Sequence, residues 1–177
     1  ANTTASYNTA IGNYALSANT TGDTNTAVGT GSLSSNTTAT NNTAVGVNAL
    51  QVNTTGAGNV AMGANALDSN TTASNNTAVG YFSLSTNTTG TYNVALGTSA
   101  LQANIGASNN TALGYATLYD NTTGANNVAV GYLALQNNTT ASNNVAVGMN
   151  ALGANTTSTA QTAVGFNALA VATGHYN

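Results

Sequence analysis

The chain has 177 residues with no Lys, Arg, Glu, Cys, Pro or Trp, and its formal net charge of -3 comes from Asp23, Asp68 and Asp120. With no basic side chain to neutralise phosphates or anionic headgroups, nucleic acid and charged membrane surfaces are disfavoured as partners. Apolar runs of only a few residues predict no membrane insertion and show no signal peptide, and the absence of cysteine leaves the redox compartment open.

Residues 1–7 are the tail of a repeat unit, and ten full units of seventeen residues then fill 8–177 without insertion or deletion. Numbered from one to seventeen, each unit opens on an asparagine (Asn8, Asn25, Asn42 and onward to Asn144), with Gln161 standing once in that place. A fixed period of this kind marks a repeat architecture, so residues 1–177 read as one continuous array. Disordered chains combine low hydrophobicity with high charge; here 41% of residues are hydrophobic and 2% charged, and the apolar residues recur at fixed places, so the array reads as ordered.

Places two to four read Thr/Val, Ala, aliphatic, the period-two pattern of a short strand. Places two and four then share one face and the alanine looks the other way. The fourth place (Val79, Leu96, Leu113 and Val130 among others) and the invariant leucine of the ninth (Leu84, Leu101, Leu118, Leu135) are the predicted core. Gly at place five (Gly46, Gly63, Gly80, Gly97, Gly114, Gly131, Gly148) is the predicted bend, through positive φ or close backbone approach. A second short extended piece is expected to carry the leucine inward, followed by an Asn-Thr-Thr turn. The β-branched residues, Asn and recurrent Gly disfavour helix. The expected fold is therefore all-β, a parallel β-solenoid or β-roll.

A slower beat overlies the unit. The fifteenth place alternates from Ala5 and Gly22 through to Gly124 and Ala141, so the full period is 34 residues, and the pattern leaves 17 and 34 residues per coil both open. Each unit buries too little apolar surface to order seventeen residues alone, so stability must come from stacking between units, with asparagine columns adding amide ladders. The sequence starts inside a unit and stops at the end of one, which predicts either a slice of a longer protein or ends that join head to tail into a filament. The expected partner is the chain itself, as a trimer or fibre, with glycans or cell surfaces as further candidates.

The core string of residues 42–50, NTAVGVNAL, resembles the head repeats of trimeric autotransporter adhesins, which carry a similar V-A-I-G strand. The longer pattern NTAVGxxALxxNTTG is similar to repeat arrays in tail-fibre-like proteins of phages and environmental bacteria. These resemblances cover nearly the whole chain. They imply a parallel β-roll, often trimeric, displayed outside the cell or virion, and they bring no binding residue.

Asn2, Asn19, Asn36, Asn53, Asn70, Asn87, Asn121, Asn138 and Asn155 each begin an Asn-Thr-Thr triplet, the acceptor pattern for N-glycosylation, and Asn41, Asn75, Asn109 and Asn137 add further N-x-T matches. The triplets read equally as turn formers. Threonine columns suggest an ice-binding face, although adjacent threonines such as Thr88 and Thr89 point to opposite sides of an extended chain. Tyr81, Tyr115, Tyr132 and Phe166 at the sixth place form a candidate sugar- or surface-binding stripe, or contacts between chains. The three aspartates fall at different places in their units, unlike the regular ligands of calcium-binding solenoids. One histidine, His175, and three scattered aspartates make no acid/base constellation, and no cofactor or metal site is expected. The sequence thus points to a non-enzymatic extracellular fibre or adhesin segment, with a phage receptor-binding fibre and an ice-binding solenoid as alternatives.

Overall fold

In the computed structural model, residues 3–171 are described. Among these residues are ten three-residue strands: β1 (Thr9–Ile11), β2 (Thr26–Val28), β3 (Thr43–Val45), β4 (Val60–Met62), β5 (Thr77–Val79), β6 (Val94–Leu96), β7 (Thr111–Leu113), β8 (Val128–Val130), β9 (Val145–Val147) and β10 (Thr162–Val164). They form one parallel sheet in sequence order. Thr9 lies beside Thr26, Thr26 beside Thr43, and Thr43 beside Val60, so each strand meets the next with a shift of one unit. One coil is therefore one 17-residue unit, and the fold is a β-solenoid. At about 4.8 Å per coil the ten strands span about 43 Å.

The strands bury their small side chain. Ala27, Ala44, Ala61, Ala78, Ala95, Ala112, Ala129 and Ala146 are fully buried, while the residues at places two and four look outward. This corrects the predicted core: Val79, Leu113 and Val130 are only partly buried, and Leu96 is exposed. The reason is room. A coil this short brings the strand close to its opposite wall, where Leu84, Leu101, Leu118 and Leu135 are fully buried, and an alanine is what fits opposite a leucine.

That opposite wall is a run of turns, where a second extended piece was expected. In the first unit the Ala15 N–H donates to the Gly12 carbonyl, Ser17 to Tyr14, and Asn19 to Leu16, each closing a four-residue β-turn. Between coils, Leu16 N–H donates to the Ser32 carbonyl and Ala18 N–H to Ser34. The turns are made by left-handed residues at alternate places: the leucine has φ near 50° in every unit, from Leu16 at 52° to Leu169 at 47°. That conformation costs a non-glycine residue about 1–2 kcal/mol, against about 1.5–3 kcal/mol for burying a leucine side chain.

Glycine at place five has a φ that side chains rarely adopt, 135° at Gly80, and a Cβ built there would sit 2.6 Å from the carbonyl carbon of Gly97 in the next coil. Gly46, Gly63, Gly97, Gly114, Gly131 and Gly148 share this geometry, so the column is a line of backbone-on-backbone contact. The 34-residue beat is structural as well. At Gly22, Gly56, Gly90 and Gly124 an added Cβ would overlap the carbonyl oxygen of the alanine at the same place in the next coil.

The left-handed leucine gives a sharp test. Leu84→Met keeps the unbranched stem and should lower the unfolding free energy by about 1 kcal/mol. Leu84→Ile, of equal volume but β-branched and thus hostile to positive φ, should lower it by roughly 2–3 kcal/mol more. Urea titration of both variants, followed by circular dichroism, measures the difference; equal losses would remove the backbone from the explanation.

Candidate functional site

Two asparagine columns fill the interior beside the leucines. At place twelve each side-chain amide donates twice: Asn87 Nδ2 reaches Asn70 Oδ1 of the preceding coil at 3.1 Å and the Gly90 carbonyl at 2.9 Å, and Asn87 Oδ1 accepts from Asn104 at 2.9 Å. The same links join Asn36 to Asn19, Asn53 to Asn36, Asn70 to Asn53, Asn121 to Asn104, Asn138 to Asn121 and Asn155 to Asn138. At place one the Asn76 Oδ1 accepts the Asn93 backbone N–H at 2.9 Å, and Asn76 Nδ2 donates to the Gly90 carbonyl at 2.8 Å. The carbonyl of place fifteen thus takes one amide from each column and uses both lone pairs. A buried amide with all its partners is favourable, and one stripped of a partner loses about 1–3 kcal/mol. Chains of such bonds also polarise one another along the axis.

This geometry overturns the predicted glycan stripe. Asn19, Asn36, Asn53, Asn70, Asn87, Asn121, Asn138 and Asn155 are fully buried, and Nδ2, the atom that would carry the sugar, spends its hydrogens inside the ladder. Asn2 lies outside the described residues. Exposed matches to the acceptor pattern are Asn41, Asn75, Asn109 and Asn137. The threonines of the triplet divide their roles. The first donates its hydroxyl to the next coil, as Thr54 Oγ1 does to the Thr71 carbonyl at 3.0 Å and Thr122 to Thr139 at 3.0 Å, whereas the second is solvent-exposed.

The outer surface carries what the interior excludes. The aliphatic residues of place four form a column along the sheet, with Ile11 61%, Met62 42% and Leu96 40% exposed. Past the glycine bend, place six presents Tyr81, Tyr115, Tyr132 and Phe166 to solvent. Tyr115 and Tyr132 stack with centroids 5.4 Å apart, and Tyr81 meets Phe82 edge to face at 4.4 Å.

No family model, curated protein or solved structure matches the chain. Its chemistry is therefore read from its own residues. Among the described residues no group of three or more His, Cys, Asp or Glu gathers to hold a metal ion, and no helix is long and apolar enough to cross a membrane. His175 lies outside the described residues. Burial raises the Asp68 carboxyl above the ordinary range, against the lowering effect of hydrogen bonds from Ser69 and from its own backbone.

The ladder has one fault. Asn144 Nδ2, whose counterparts such as Asn127 donate to the carbonyl fourteen residues on, and Gln161 Oε1 are buried without a hydrogen-bond partner among the described residues, while the Gln161 N–H keeps its bond to Asn144 Oδ1 at 2.9 Å. The longer side chain turns its amide to the Thr159 carbonyl.

Two outcomes follow from the interior. Asn87→Leu strands Asn70 Oδ1 and one N–H of Asn104, and should lower stability by about 3 kcal/mol in denaturant titration. The second concerns pH. An acid whose folded pKa is raised adds stability when protonated, and that contribution is lost as pH rises through the folded value. Asp68 should therefore make the melting temperature climb as pH falls from neutral through the carboxylate range, and Asp68→Asn should flatten that climb in calorimetry.

Proposed function

We propose that the chain is a non-enzymatic structural rod, the shaft or head segment of an extracellular fibre or adhesin, whose copies associate side by side through the outer face of the strands. The observation that carries this reading is the column of outward aliphatics at place four. An all-inclusive estimate from strand spacing and rise gives a strip on the order of 400 Å², the size of exposed apolar patch that marks an interaction surface. Such a strip on a flat, unbulged and nearly uncharged parallel sheet is the kind of surface soluble proteins cover. Val45, Met62 and Leu96 stand one coil or two apart on it, so a second copy of the same sheet presents a matching period.

The mechanism is geometric. Identical coils locked by amide ladders make a stiff rod, and lateral association thickens it without adding ionic contacts, which this composition does not provide. Display or spacing of a surface follows from stiffness and length, with no reacting group required. Resemblance to trimeric adhesin heads and to tail-fibre repeats supports a threefold assembly and a place outside the cell or virion.

Sedimentation equilibrium tests the reading. The native chain should run as a trimer, three times 17.3 kDa, or as a longer assembly. Met62→Glu with Leu96→Glu should return it to a monomer that keeps its circular dichroism, since both side chains face outward. A native chain that stays monomeric at micromolar concentration overturns the proposal. Thermal hysteresis activity in that monomer would move the function to ice binding.

A further inference from the structure

Tyr115, Tyr119 and Tyr132, three of the chain's eight tyrosines, converge on one open cleft of about 360 Å³. Its remaining wall is Ser99, Leu133 and Gln136, with Ala116 beneath. Elsewhere these columns hold other residues: the tenth place has Gln102 in the coil before Tyr119 and Gln136 in the coil after, and the sixth has Thr98 before Tyr115. Tyr119 is the one aromatic of the tenth place, and Tyr115 and Tyr132 are the adjacent pair among the four aromatics of the sixth, so the three meet only here. Tyr115 and Tyr132 stay 52% and 50% exposed.

We propose that this cleft is a binding site for a neutral saccharide. The two stacked rings are nearly parallel, 13° apart, so they cover each other and leave outward ring faces rather than the crossed walls of a cage. Ser99 of the preceding coil lines the cleft with Tyr115, and the sixth place of that coil carries the smaller Thr98. A flat apolar platform with polar groups at its rim suits a pyranose, which presents C–H bonds on one face and hydroxyls around its edge. The Gln136 amide, Ser99 hydroxyl and Tyr119 phenol supply donors and acceptors for those hydroxyls. With no Lys or Arg in the chain, nothing in the site favours a sialic acid, a uronic acid or a phosphorylated sugar. The volume lies at the small end of ligand pockets, room for one or two sugar rings. The site stands apart from the strand-face column and does not depend on how the rods associate.

Saturation-transfer NMR and calorimetry on the assembled protein test the proposal, with methyl glucoside, methyl galactoside, N-acetylglucosamine and their β-linked disaccharides as probes. N-acetylneuraminic acid and choline serve as comparators. At least one neutral probe should bind in the millimolar range and neither comparator should. Tyr119→Gln and Tyr115→Thr each install the residue of an adjacent coil, so the fold is kept, and each should weaken binding by roughly tenfold through loss of one stacking surface. Tyr115→Phe should retain binding, and Tyr92→Asn, outside the cleft, should change nothing. The proposal is overturned if no neutral probe binds, if choline binds instead, or if binding survives Tyr119→Gln. It is equally overturned if these substitutions change the mass of the assembly, which would make the cleft a contact between copies.

Discussion

The amide ladder is the constraint on which the rest of the solenoid depends. From Asn36 to Asn138 each Asn of place twelve is bonded to the Asn one coil before and one coil after, and the asparagines of place one hold the backbone of the coil that follows. These bonds run along the axis, so every coil is positioned by its neighbours. The register must be seventeen residues each time, because an inserted residue would take an asparagine out of its column and strand a buried amide on both sides. This explains why a chain otherwise tolerant of varied residues at places six, seven and ten has no insertion across ten units. It also explains how a thin core suffices. Leucine and alanine supply the apolar filling, and a fully satisfied polar wall completes it.

The size of the coil settles the arrangement of the strands. Seventeen residues enclose one leucine, two small side chains and two asparagines per layer, and the strand must turn its alanine inward to leave that space. The larger aliphatics are then placed outside, where they gain little within a single chain. An interior that takes the small residue and an exterior that keeps the large one link the core directly to the proposed self-association. The scarcity of charge acts in the same direction, since a net charge of only -3 opposes contact between copies weakly.

Irregular residues carry the individuality of a repeat protein. Where a column is uniform, it reports packing; where it changes, it reports either a fault or a use. The fault lies in the last coils, where Asn144 Nδ2 and Gln161 Oε1 are buried without a partner among the described residues. Tyr119 is the one aromatic of the tenth place and shares a cleft with the stacked Tyr115 and Tyr132, which is why it points to a ligand. The Gly/Ala alternation is neither: Gly22 backs onto Ala39 because a side chain there would collide with the carbonyl that both ladders need.

The seventeen-residue period, the parallel all-β solenoid, the inward Leu84 and the bend at Gly80 were legible in the sequence, since an invariant residue at a fixed period can only be stacked on its own copies. Alternation placed Thr77 and Val79 on one face and Ala78 on the other, but period two is silent on which face is the interior. The space left opposite Leu84 decided that, and it decided against Val79. Asn87 in its triplet read as a surface acceptor because a local pattern records the neighbours along the chain, whereas its burial comes from Asn70 and Asn104, seventeen residues away on either side. Local sequence specified where the chain bends and what repeats. Only the closed coil, by its width, determined which of those repeating side chains are shut inside and which are left for a partner.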